Sequence, residues 1–397
     1  MAEGIESEKS AGMSLYHELG TVLLAPPYSP EPDDDSGNDF EEDVLSFANA
    51  FLAFLPSELR PKVEGFVEDK VQSYSDEEFR RNFRLRRDVC ETLVAGFAAS
   101  DVYPMSLTHG GATPKTPECH VLSFLWYAGN KSSIRDVAGR FGVSESCRHS
   151  MLTRVMTYLC QIAHRVICFP EHLEGMAQEF EKIPGFHGVI GCIDGTFIPI
   201  RCPAHKPRVT YVNRHVMISL TLQGICDNRR RFLDVSTGFP SKIHDGRVLT
   251  LSNISKRLPS LCDGGRYHIL GDAAYPCREY LITPYKDYGN LTEAQSTFNM
   301  KLCVTRVLIE NTFRILKQNF RQLKDVEFFS VERMCQLIMS CCVVHNLCID
   351  ANDLMEESLQ ESQEDLDPGD GDVGEEQTAL RNLGELKRQW LVNMVAQ

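Results

Sequence analysis

Four acidic residues of this 397-residue chain stand where a metal-dependent phosphoryl-transfer site would need them. Asp194 interrupts an otherwise apolar run of Val189, Ile190, Ile193, Phe197 and Ile198. A carboxylate there is costly unless it is paired or binds a cation. Asp272 closes a second apolar run, Tyr267–Leu270, and is followed by Ala273-Ala274-Tyr275, small residues that leave its front open. A plain helix cap is the other reading of Asp272. Asp245 stands in Phe239-Pro240-Ser241-Lys242-Ile243-His244-Asp245-Gly246, where N-capping of the next helix is an equal alternative. Glu310 lies one step round from a buried helix face at Ile309, Phe313, Leu316, Phe320 and Leu323, the one acid in a stripe with Arg306, Lys317, Arg321 and Lys324. Its ordinary alternative is an intrahelical ion pair with Arg306 or Arg314, worth a few tenths of a kcal/mol.

Carboxylates without a Cys or His pattern suit the hard cations Mg²⁺ or Mn²⁺ rather than zinc. Two such ions about 3.5–4 Å apart need several bridging carboxylate oxygens. One ion activates a water or a 3′-hydroxyl, and the other steadies the leaving oxygen of an in-line displacement at phosphorus.

The elements that would position these groups follow from periodicity. Strands are expected at Val189–Ile200, His215–Cys226 and, after an Asp227-Asn228 turn, Arg231–Thr237. A helix over Gly246–Arg257, a short strand Tyr267–Leu270, a helix from about Thr305 to Lys324 and an apolar helix Ser330–Cys348 complete the series. That order predicts an α/β (α+β) fold, an RNase H-like mixed sheet with flanking helices. Its first and fourth strands are neighbours, which would bring Asp194 and Asp272 together. Upstream the period is helical. Ser75-Asp76-Glu77-Glu78 is a capping box, and Thr116-Pro117 opens a helix to Gly129. Ser133 caps Ile134–Phe141, Gly142 stops it, and Ser144 caps a helix from Glu145 to about Ile167. Residues 133–167 fit a helix-turn-helix whose second helix offers Arg148, His149 and Arg154 to a groove; an ordinary helical hairpin fits equally well.

The net charge of −14 misleads until it is divided. Residues 1–43 carry twelve acids and one lysine, and residues 350–376 twelve acids and no base. The body between them, 44–349, has 37 basic and 30 acidic residues, so an acidic whole conceals a mildly basic body and does not argue against a nucleic-acid partner. The expected organisation is an acidic disordered tail (1–43), a helical N-terminal domain (44–180), a nuclease-like domain (181–349), an acidic disordered linker (350–376) and a short C-terminal helix (377–397). No run of 18 apolar residues appears, which excludes a membrane span. Fifteen cysteines, an odd number without a C-x-x-C pair, read as reduced thiols.

Five motifs in order carry a family resemblance: Gly191-Cys192-Ile193-Asp194-Gly195-Thr196, Tyr211-Val212-Asn213-Arg214, Phe239-Pro240 with His244-Asp245, Leu270-Gly271-Asp272-Ala273-Ala274-Tyr275-Pro276, and Arg306 with Ile309-Glu310-Asn311-Thr312-Phe313. Together, over roughly residues 75–348, the chain resembles the PIF/Harbinger DDE transposases and the nucleases derived from them. The resemblance implies a divalent-metal-dependent DNA endonuclease of the nucleus. Its catalytic triad falls on Asp194, Asp272 and Glu310, with Asp245 as a further metal ligand. It also implies DNA as partner, a Myb/SANT-like DNA-binding protein as a second one, and possible oligomers. Two loop positions depart from the family pattern: Pro240-Ser241-Lys242 stands for Pro-Gly-Ser, and Phe197 for a histidine. DNA contacts are expected from Arg148, Arg154, Arg306, Arg314, Lys317, Arg321 and Lys324. The alternative function is a catalytically silent DNA-binding or adaptor protein that keeps the fold.

Overall fold

A computed structural model describes residues 63–104, 115–183, 186–353 and 375–395. The acidic segment 1–43 and most of 350–376 lie outside the described residues. A π-helical turn, Phe66–Val71, precedes α1 (Asp76–Phe83), α2 (Arg87–Ala98), α3 (Pro117–Asn130), α4 (Ile134–Arg140), α5 (Glu145–Val166) and α6 (Glu174–Glu181). The helix starts are chemically marked. Ser75 and Glu78 exchange both bonds of a capping box, while Thr116, Ser133 and Ser144 each accept the backbone N–H three residues on. Each such cap contributes on the order of 1 kcal/mol. Gly142 turns the chain between α4 and α5 with φ of 63°, and a Cβ there would lie 2.4 Å from the Val63 carbonyl oxygen. Only glycine fits both demands.

The sheet holds β1 (Val189–Pro199), β2 (Ser219–Cys226), β3 (Phe232–Pro240), β4 (His268–Leu270) and β5 (Leu281–Ile282) in the order β3-β2-β1-β4-β5. The first three form an antiparallel meander, whereas β4 runs parallel to β1 and β5 parallel to β4. This is the mixed RNase H-like sheet expected from the element order, with β1 and β4 adjacent. One face carries Val189, Cys192, Ile198, Leu220, Leu222 and Leu270 against the long helices α9 (Glu293–Asn319) and α10 (Val331–Asp350). The other carries Ile190, Ile193, Ile225 and Ile269 against α6, α7 (Asp245–Leu251) and α8 (Ile254–Leu261). Val189 and Cys192 share a face although three residues apart, which a strand allows only across an irregularity; the β1–β4 register shifts between Val189 and Gly191. Beyond that bulge, Cys192, Asp194, Thr196 and Ile198 alternate onto the α9 side.

Several boundaries differ from the sequence-based expectation. The helix expected from Thr305 begins at Glu293, under a Thr292–Gln295 capping box, and ends at Asn319. Phe320 breaks it at φ −107°, ψ 76°, so Arg321–Lys324 form a separate 3₁₀ turn. The helix expected over Gly246–Arg257 is two, split at Ser252-Asn253. The two-residue β5 is too short to show a period and adds a fifth strand to the four expected. It lies at the sheet edge, and the C-terminal helix α11 (Glu375–Val395) packs beside it. Gly384 of α11 sits so close that a Cβ would be 2.6 Å from the Arg278 backbone. Lys387 Nζ donates to the carbonyls of Gly265, Tyr267 and Glu279 at 2.6, 3.1 and 2.8 Å.

Apolar packing is continuous across the expected boundary at residue 180. Helix α5 packs along α10, and Gln322 of the 3₁₀ turn donates to the Tyr127 hydroxyl of α3 at 3.2 Å. All fifteen cysteines are unpaired. Among the described residues, no helix is long and apolar enough to cross a membrane.

Candidate active site

Asp194 sits mid-strand with its side chain only 15 % exposed. Its Oδ1 accepts the Gly195 N–H at 2.8 Å, and its Oδ2 accepts from the Arg306 guanidinium at 2.9 Å. Burial pushes its carboxyl up to about 7; Arg306 opposes this, while Asp272 and Asp245 add to it. Arg306 is itself buried, 5 % exposed in its side chain, and stands 3.8 Å from Glu310 one turn further along α9. Burial alone would lower its pKa, but Asp194, Asp272, Glu310 and Cys192 outweigh that and raise it. One arginine therefore bridges Asp194 and Glu310 and feels Asp272.

Asp272 follows β4 and accepts the Ala274 N–H on Oδ1 at 3.0 Å, folding the small-residue loop around itself. Burial raises its pKa. Asp245 opens α7 without capping it, since its neighbour His244 holds the N-cap position with no side-chain bond. Burial, then Asp272, pushes Asp245 up to about 6. Its approach depends on Gly195, where a Cβ would lie 2.3 Å from Asp245 Oδ1. Gly246 allows the loop after β4 to close in, since a Cβ there would lie 2.9 Å from the Ala274 carbonyl oxygen. Tyr275 reports on the whole group. Its buried hydroxyl is held above its ordinary pKa by burial and then by Asp245, Asp194 and Asp272 together. Gln223 ties Tyr275 to α7, donating to the tyrosine oxygen at 3.1 Å and to the Asp245 carbonyl at 3.2 Å.

Residues 193–346 match the model of the DDE superfamily endonuclease family. The chain carries a DDE endonuclease domain. Its relatives include the protein named "Putative nuclease HARBI1" of Homo sapiens, 29% identical over 241 residues, or 59% of this chain and 68% of that one. "Protein ALP1-like" of Arabidopsis thaliana is 28% identical over 280 residues, 67% of this chain and 68% of that one. This chain is homologous to both. No solved structure matches the chain significantly.

The DDE domain gathers basic groups at its rim, some of them not foreseen. Arg214 lowers the pKa of both Asp245 and Asp272, against the larger effect of burial, and its guanidinium lies 6.0 Å from the Phe197 ring. The preceding Asn213 builds the loop that presents it: Oδ1 accepts the N–H groups of His215 and Met217, and Nδ2 donates to Ser219. The only sequence signal for Arg214 was the Tyr-Val-Asn-Arg motif. Lys317 reaches from α9 to the Thr196 hydroxyl at 2.6 Å, two residues from Asp194. Arg314 bonds Asn311 on the same helix.

Two expected DNA contacts are corrected. Arg148 is fully buried, 0% exposed, and donates to the Ser123 carbonyl of α3 at 2.9 Å near the Tyr127 ring. Burial lowers its pKa to about 10, and it holds α5 onto α3 rather than facing a groove. Arg306 is occupied inside the carboxylate group and does not present its charge to solvent. Arg321 and Lys324 are exposed, but on the 3₁₀ turn rather than on the helix of Glu310; Arg154 is partly exposed on α5.

Among the described residues, no three of His, Cys, Asp and Glu stand close enough to hold a metal ion as placed. The donor set nonetheless fits a hard cation. It is all carboxylate, and three neighbouring aspartates carry more negative charge than one buried arginine offsets.

Proposed function

We propose that the chain is a divalent-metal-dependent DNA endonuclease of DDE type, with Asp194, Asp272 and Glu310 catalytic and Asp245 a further metal ligand. One observation carries the reading: three aspartates on three separate elements lie within reach of one another, Asp272 and Asp245 raising the proton affinity of Asp194 and Asp272 that of Asp245, while Asp194 and Glu310 share Arg306. Burying like charges together costs stability, and active sites are where such costs recur. Mg²⁺ or Mn²⁺, when bound, polarises a phosphoryl oxygen and makes water or a 3′-hydroxyl a better nucleophile. The chain's own groups do the positioning. Gly195 admits Asp245, Gln223 and Tyr275 lock the start of α7, and Arg306 fixes the orientation of the Asp194 carboxylate. Arg214 and Lys317 border the aspartates, where a phosphodiester would lie; Arg154, Arg314, Arg321 and Lys324 supply further positive charge for the DNA backbone.

The test is nicking of supercoiled plasmid by the full chain with Mg²⁺ or Mn²⁺, beside Asp194→Asn. Metal-dependent nicking that disappears in the variant is the expected result. DNA and Mn²⁺ binding without nicking under any condition would favour the silent adaptor instead, and nicking retained by the variant would place the chemistry elsewhere.

A further inference from the structure

The solvent side of α5 presents His149, Ser150, Thr153 and Arg154. With Arg333, from the first turn of α10, they line an open cleft of about 310 Å³. Among the described residues, no carboxylate lines it. Arg333 donates to the Thr153 hydroxyl at 2.5 Å, and that hydroxyl donates to the His149 carbonyl at 2.9 Å, so one guanidinium is tied across the pair of helices. Burial, then Arg333 and Arg148, keeps the His149 pKa low, with Glu145 one turn upstream opposing them. The imidazole is thus a neutral donor near physiological pH. Two guanidinium groups, the Ser150 hydroxyl and an imidazole N–H around one open hollow are the donor set of an oxyanion site, and guanidinium matches phosphate geometry best.

We propose that this cleft grips the phosphodiester backbone of duplex DNA between α5 and α10. Residues 149 to 154 advance about 7.5 Å along the helix, about twice the 3.4 Å axial step between phosphates of one strand. That length and the open side fit a continuous backbone better than one free phosphate. The site lies on the second helix of the helix-turn-helix-like pair, but past its first turn, and half of the charge comes from the DDE domain. Backbone clamping, rather than base reading by the first turn of α5, follows from this. The inference rests on DNA being the substrate of the DDE domain.

Anisotropy of labelled duplexes of unrelated sequence, titrated with the full chain over a salt series, tests it. The double variant Arg154→Gln, Arg333→Gln should weaken every duplex alike and reduce the log–log salt slope by about 1.8, roughly 0.9 for each lost phosphate contact. Arg154→Gln alone keeps the Arg333–Thr153 bond and should give about half that change, so it decides the matter if the double variant melts early. An unchanged slope in both variants overturns the proposal. So does inorganic phosphate binding that the double variant abolishes while DNA affinity stays as in the wild type, since that marks a small-anion site. Mn²⁺ binding, followed by its electron paramagnetic resonance, should be equal in all three proteins. Loss of Mn²⁺ binding already in the wild type would fail the DDE reading, independently of the salt slopes.

Discussion

Replacing Arg306 by Met isolates what the arginine does among the carboxylates. The guanidinium lies 2.9 Å from Asp194 Oδ2, and both side chains are almost fully enclosed. Losing one partner of such a pair typically costs about 3–5 kcal/mol, because the other charge stays buried alone. Asp194 has one escape, which is to bind a proton. Its pKa is already up to about 7 with Arg306 in place, so taking up that proton costs only about 0.7 kcal/mol at pH 7.5 and about 2.7 kcal/mol at pH 9, at 1.36 kcal/mol per pH unit, which caps the loss through this pair. The expected destabilisation in EDTA is therefore about 1 kcal/mol at pH 7.5, growing to about 2–3 kcal/mol at pH 9, read from urea unfolding followed by circular dichroism. Adding Asp194→Asn to Arg306→Met should remove most of it, since the buried charge is gone. Excess Mg²⁺ should recover more stability in Arg306→Met than in the wild type, because a cation then supplies the missing positive charge. A loss that does not grow between pH 7.5 and pH 9, or a double variant no more stable than Arg306→Met at pH 9, would refute the claim that Arg306 balances Asp194.

Asp194→Asn alone should abolish metal-dependent cleavage while the melting temperature in EDTA holds or rises, because a buried negative charge beside Asp272 and Asp245 is removed and Arg306 keeps Asp272 and Glu310 as partners; an early-melting variant would mark the carboxylate as structural. His345, buried on α10 with Nε2 2.8 Å from the Arg230 carbonyl, has its pKa lowered by burial to about 4. Its stabilisation is therefore complete above pH 6.5 and lost as pH falls towards 4, by about 3 kcal/mol relative to His345→Gln, and parallel pH–stability curves for the two proteins would contradict this. Truncation before Glu375 removes α11 and bares the edge at β5, so the melting temperature should fall and aggregation rise; unchanged melting would show that the Lys387 and Gly384 contacts hold nothing.

The sheet was legible because its strands are bounded by clear punctuation. Asp227 accepts the Arg229 and Arg231 N–H groups, the turn that Asp227-Asn228 announced. The start of α9 was not legible, since Glu293–Met300 offers Phe298 as its one large buried anchor and its outward side mixes Met300 with polar residues. Nor was β5, whose pairing depends on β4 arriving beside it rather than on any period of its own.

The site divides along the same line. Asp194 betrays itself as a charge in an apolar strand, a local contradiction that sequence can expose. Arg148 and Arg306 look alike in sequence, each a base on an amphipathic helix, yet both are buried. What separates them is tertiary: Arg148 meets a carbonyl and an aromatic ring, Arg306 a cluster of acids. A basic stripe read from helical phase gives the face on which a charge lies but not what packs over it. The carboxylates give the better guide, because three acids brought into one buried region demand a positive charge from somewhere. In this fold the nearest one is Arg306, supplied one turn before Glu310 on the same helix, and any cation that binds there must share Asp194 with it.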